Sequence, residues 1–188
     1  AVRYAIEEKV DIILYSQNRE CCGNFDGGGF LNAIVNQATE AGILWVNAAG
    51  NYRGHVYNSS INRVEDNRAV TFERPTELRL KSRLDESPVQ IILTLNSSGS
   101  EENTGTDKDL DLYLYDEKNQ LVAKSELKQV LKKAELAEGE TFLPRERIRH
   151  SLSKNREEFY RLVVAARSNN FSQSDRVRII VIPERAPI

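Results

Sequence analysis

The chain has 188 residues, 40% of them apolar, with 26 Lys and Arg against 28 Asp and Glu for a formal net charge of −2. That is enough chain for one large or two small domains with a sizeable core. The balanced charge leaves no overall field that would recruit nucleic acid or an anionic membrane, so partner choice must come from local sites. No apolar run approaches the roughly 20 residues a membrane helix needs, and the start, Ala1-Val2-Arg3, is amphipathic rather than signal-like. The cysteines Cys21 and Cys22 are too few and too close for a disulfide framework, and no second ligand pair for zinc accompanies them. They are expected in a loop between a strand and a helix. The sequence contains no Met, which suggests an excised or processed segment of a longer protein.

In chain order, Val2, Ala5, Ile6 and Val10 form a helical stripe, and Asp11 leads into the apolar run Ile12-Ile13-Leu14-Tyr15, read as a strand buried on both faces. A second helix is marked by Phe30, Ile34, Ala38 and Ala41 and stopped by Gly42. The next strand is Ile43-Leu44-Trp45-Val46. Helices alternating with continuous apolar strands imply right-handed crossovers and a parallel sheet covered on its faces. Two such strands do not complete a sheet, and the remainder is expected outside this segment.

From about Asn58 the pattern changes to period two, which marks a second domain of half-buried antiparallel strands. Leu78, Leu80 and Leu84 alternate with charged residues, and Val89, Ile91, Leu93 and Leu95 share a face. Leu110, Leu112 and Leu114 do the same. Further strands are expected at 121–123, 147–149, 160–165 and 177–182, giving a β-sandwich or jelly roll. Leu127, Val130, Leu131 and Ala134 fit one face of a short helix over 125–136 with Ser125 as N-cap, and residues 96–105 read as a polar Gly/Ser-rich loop. The expected organisation is therefore a parallel α/β fragment over 1–57 and an all-β antiparallel sandwich with one short helix over 58–188.

The most informative stretch is Gly42-Ile43-Leu44-Trp45-Val46-Asn47-Ala48-Ala49-Gly50-Asn51, a strand running into small residues and an amide. The C-terminal end of a parallel strand is where α/β enzymes place their sites. Small residues let another backbone approach, and the Asn51 amide can donate to a developing negative charge.

Here the sequence resembles the subtilisin-like serine proteases, in which a strand ending in Ala-Ala-Gly-Asn supplies the asparagine of the oxyanion hole. The resemblance runs over roughly residues 1 to 54, including Gly28-Gly29-Phe30-Leu31 at the start of the helix and the strand Val10 to Ser16. It implies an oxyanion role for Asn51. It also implies that Ser16 and Gln17 lie along the bound polypeptide substrate, which pairs with them as an added strand. The segments bearing the family's Asp and His are expected before residue 1 and its Ser after Ile188. No serine here stands in a Gly-Thr-Ser-x-x-x-Pro setting, and neither His55 nor His150 matches the family's base, so the chain alone is expected to be inactive. A weaker likeness, carried by Asp109 to Asp116 and Asn119 to Ala123, is to the pre-peptidase C-terminal sandwiches of secreted bacterial proteases. It implies secretion and an insertion after the oxyanion strand.

Asp107, Asp109, Asp111 and Asp116 offer the hard oxygens of a calcium site, or simply a solvated strand face. No cofactor is otherwise required. Gly27-Gly28-Gly29 before a helix lacks a following Gly-Lys-Ser/Thr, so it reads as a tight loop rather than a phosphate cradle. Arg145, Arg147, Arg149, Arg176 and Arg178 form either a basic strip across neighbouring strands or an ordinary solvated face. The alternative to a protease segment is a protein- or carbohydrate-binding sandwich on a protease-like scaffold. Under either reading the open sheet edges at 11–15 and 43–46 predict self-association.

Overall fold

The computed structural model describes residues 1–17, 28–50, 55–65, 68–72, 77–81, 88–96, 105–131, 136–153 and 158–184. The first elements are helix α1 (Val2–Glu7), strand β1 (Ile12–Tyr15), helix α2 (Phe30–Glu40) and strand β2 (Leu44–Asn47). α2 ends where the sequence places a glycine. Gly42 takes φ +83° and donates to the Thr39 carbonyl, while Ile43 donates to the Ala38 carbonyl, each at 3.0 Å. Those paired bonds are the Schellman closure that satisfies the last helical carbonyls. β1 and β2 pair in parallel, Ile12 with Leu44 through Tyr15 with Asn47.

Burial of β1 and β2 on both faces is not seen among the described residues. Ile13 and Trp45 are half-buried, but Ile12, Leu14 and Leu44 are 59%, 74% and 58% exposed. An alternating strand pair two strands wide has one face, and both outer edges, with nothing described against them.

The rest of the described chain is mostly antiparallel β. Its strands are β3 (Val56–Val64), β4 (Val70–Phe72), β5 (Leu78–Leu80), β6 (Pro88–Leu95), β7 (Leu110–Tyr115), β8 (Leu121–Ser125), β9 (Lys128–Gln129), β10 (Glu140–Thr141), β11 (Arg145–Ser151), β12 (Tyr160–Ala166) and β13 (Arg176–Pro183). One sheet runs β11-β6-β13-β3-β4, and the other runs β5-β12-β7-β8. Alternation turns Val89, Ile91, Leu93 and Leu95 of β6 and Val177 and Ile179 of β13 towards Leu110, Leu112 and Leu114 of β7 and Leu162 and Val164 of β12. All are buried in one cluster, the core of a β-sandwich. The edges of the two sheets approach at β8 and β11, where Arg147 N–H donates to Ser125 Oγ at 3.2 Å.

The short helix expected over 125–136 is absent from its described part. Residues 128–129 are extended and pair in parallel with 140–141. Local periodicity lost to tertiary contacts here, because the Gln129 side chain is drawn inward to accept from Leu110 N–H at 2.6 Å and to donate to Glu146 at 2.5 Å. A helix would turn that amide away. Residues 132–135 and the polar loop at 97–104 lie outside the described residues, as do Cys21 and Cys22.

Candidate functional site

The C-terminal ends of β1 and β2 sit side by side. Tyr15 is the register partner of Asn47, and the next amide, Ala48 N–H, donates to the Tyr15 carbonyl at 3.0 Å. Residues 16–17 and 48–50 thus leave from one end of adjacent parallel strands. Ser16 and Gln17 are both exposed there. The Tyr15 hydroxyl donates to Gln17 Oε1 at 3.4 Å, and the Tyr15 and Trp45 rings stand 5.9 Å apart. Asn47 turns its amide onto its own strand, Nδ2 donating to the Ala48 carbonyl at 2.8 Å. Gly50 takes φ +87°, a conformation that favours glycine and redirects the chain just before Asn51. Asn51 itself lies outside the described residues. At the start of α2, Gly29 takes φ +83° and Asn32 Nδ2 donates to the Gly28 carbonyl at 2.5 Å, so this glycine pair makes a closed turn.

Of the four candidate aspartates only Asp111 lies within β7, and their surroundings differ. Asp107 is exposed. Asp109 accepts from Gln129 N–H at 3.2 Å, and its pKa is raised, chiefly by burial. Asp111 is only 2% exposed and is an ion-pair partner of the Arg167 guanidinium. That guanidinium also reaches the Tyr113 hydroxyl at 2.5 Å and Glu126 at 3.3 Å. The Tyr113 hydroxyl lies 2.8 Å from Asp111 and 2.6 Å from Glu126. Burial, then hydrogen bonds to the two carboxylates, push its pKa far above the usual phenol range. Among the described residues no three Asp, Glu, His or Cys are grouped to hold a metal ion.

The sequence reading missed Glu146. It projects inward from β11, two residues before the core residue Ile148, and is 1% exposed. Its Oε1 accepts from Leu127 N–H at 3.0 Å and Gln129 Nε2 at 2.5 Å, and its Oε2 contacts Ser125 Oγ. No described cation pairs with it. Burial pushes its pKa up to about 7, opposed by the Ser125 bond and reinforced by the charge of Asp111. The signal was present in the sequence, since Glu146 breaks the alternation that puts Arg145, Arg147 and Arg149 outward. A separate open cleft of about 470 Å³ lies between Val64, Glu65, Arg68, Ser168, Asn169 and Phe171.

No family model matches the chain, and no curated protein matches it.

Proposed function

We propose that this chain is an internal segment of a secreted subtilisin-like serine endopeptidase that acts on polypeptides. One observation carries the reading: residues 16–17 and the segment leading to Asn51 leave the same end of two adjacent parallel strands. An extended substrate paired with 16–17 would then present its carbonyl towards a donor arriving from β2. The open faces of β1 and β2, with Leu14 and Leu44 outward, suit a sheet completed by chain outside residues 1–188. In this reading the nucleophile, its base and the orienting acid come from that outside chain. The sandwich, of the pre-peptidase C-terminal type, is an insertion that limits substrate access or binds a partner.

The test is turnover of a peptide substrate by the full-length protein with and without Asn51→Ala. The reading predicts a fall in kcat of about 10²–10³, a magnitude established for the oxyanion asparagine of a subtilisin, with KM little changed. Unchanged kcat would remove Asn51 from the site. Absence of any turnover in the unaltered protein would favour a binding sandwich on a protease-like scaffold.

A further inference from the structure

Past the end of β8, residues 126–131 run between the starts of β7 and β11. The last register pair of β8 with β7 is Ser125 with Leu112. Beyond it the Gln129 side chain takes the place of a strand partner, accepting from Leu110 N–H at 2.6 Å. Two carboxylates fasten the segment. Glu146 accepts from Leu127 N–H at 3.0 Å and from Gln129 Nε2 at 2.5 Å, and Asp109 accepts from Gln129 N–H at 3.2 Å. Main-chain bonds add to these, from Lys128 N–H to the Gly139 carbonyl at 2.9 Å, from Val130 N–H to the Thr141 carbonyl at 2.8 Å and from Gly105 N–H to the Leu131 carbonyl at 2.6 Å.

Little apolar burial holds the segment down. Of residues 126–131 only Gln129 is buried, and Leu127 and Leu131 are 41% and 51% exposed. Segments with few buried apolar contacts open locally for less free energy than the core. Glu146 depends on this segment, because among the described residues every hydrogen bond of its side chain goes to positions 125–129. On its other side stands the packed core, with Leu93 of β6 as its register partner and Ile148 two residues along β11, both buried. Water therefore reaches the Glu146 carboxylate most readily by displacing residues 126–131.

Charge decides when that displacement is favoured. Asp111 of β7 acts on Glu146 and disfavours its ionisation. Arg167 is committed to Asp111 and Glu126. Within the segment, Glu126 turns to Lys124 and Arg167, and Lys128 turns to Glu140. β6 and β8 present the neutral Leu93 and Ser125, while Arg145 and Arg147 on β11 itself point to the opposite face. Asp109, the other fastening carboxylate, is itself shifted up, chiefly by burial. An ionised Glu146 under a closed segment thus has hydrogen-bond donors but no described cation, and a second carboxylate acts against it. Burial pushes the closed-state pKa up to about 7 from an ordinary 4.5, so closure is most favoured below 4.5 and weakens as pH rises through 7.

We propose that residues 126–131 are a pH-sensitive strap, closed over Glu146 while that carboxyl holds its proton and lifted when it ionises, which uncovers Leu110 N–H and the start of β7. The strap does not depend on the protease reading.

The test is amide hydrogen exchange of the full chain, read residue by residue at pH 5, 6, 7 and 8 and expressed as protection, so that the base-catalysed rise of the intrinsic rate is removed. Protection of Leu127, Gln129 and Val130 should lie below that of Leu93 and Ile179 in the core and be insensitive to dilute urea, the mark of a local opening. It should fall about 50–100-fold from pH 5 to pH 8, and by about threefold or less in Glu146→Gln. Strap amides that share the protection and urea dependence of the core would overturn the proposal, because they would exchange only by global unfolding, and this comparison needs no variant. Strap protection constant with pH in the unaltered protein would overturn it as well. So would an equally steep fall in Glu146→Gln, in favour of Asp109 as the titrating group.

Discussion

Replacing Glu146 by Gln should stabilise the protein at neutral and alkaline pH. The carboxylate is buried in the sandwich with hydrogen-bond donors around it and no described cation. A raised pKa means that the folded state holds the proton more tightly than the unfolded chain. The associated stability is complete below the ordinary value of 4.5 and is lost as pH rises through about 7. A shift of that size amounts to about 3 kcal/mol above pH 7.5, of which about 2 kcal/mol is lost between pH 5 and 8. Gln fits the same bonds. Its Oε1 can accept from Leu127 N–H and Gln129 Nε2, and its amide can donate to Ser125 Oγ, which already accepts from Arg147 N–H. His150 acts in the opposite direction, because burial lowers its pKa and charging it on acidification costs stability. The difference between the two proteins isolates Glu146 from that background. Urea midpoints at pH 5, 6, 7 and 8 for wild type and E146Q should diverge steadily, with the variant the more stable at pH 8. Parallel curves would refute the argument, since they would mean that the site solvates or compensates the ionised carboxylate fully.

Arg167→Met should cost about 2–3 kcal/mol in urea unfolding, because it strands the buried Asp111 carboxylate. The double variant D111N/R167M should recover most of that loss, and an unchanged R167M midpoint would contradict the pairing. Gly105→Ala should lower the thermal midpoint by several degrees, for an added Cβ would lie 2.1 Å from the Val130 carbonyl oxygen and 2.6 Å from that of Phe142. Backbone on both sides must then move, at about 3 kcal/mol, and a wild-type melting curve would show that the close approach is not maintained in solution.

What could be read from the sequence was whatever alternation alone dictates. The inward leucines of β7 and Val89, Ile91, Leu93 and Leu95 of β6 define the core by parity, and Gly42 marks the end of α2 by a positive φ that other residues rarely adopt. β3 was not legible as a strand. Asn58, Ser59 and Ser60 carry turn chemistry, yet they sit inside the sheet because β13 beside them supplies main-chain partners that no local signal announces. The helical reading at 125–136 failed for a related reason, since the leucine spacing is real but the inward bonds of Gln129 to Leu110 and Glu146 outweigh it. Asp107, Asp109, Asp111 and Asp116 read from the sequence either as a solvated face or as calcium ligands. The ion pair of Asp111 with Arg167, a residue 56 positions away, is a partnership only the fold creates.

Membership of a serine endopeptidase is tested most directly by labelling the full-length protein with a serine-directed phosphonate, followed by peptide mapping. One covalent adduct is expected, on a serine outside residues 1–188 and lost on prior denaturation. No adduct on the folded protein, or an adduct on a serine within this chain, would contradict it.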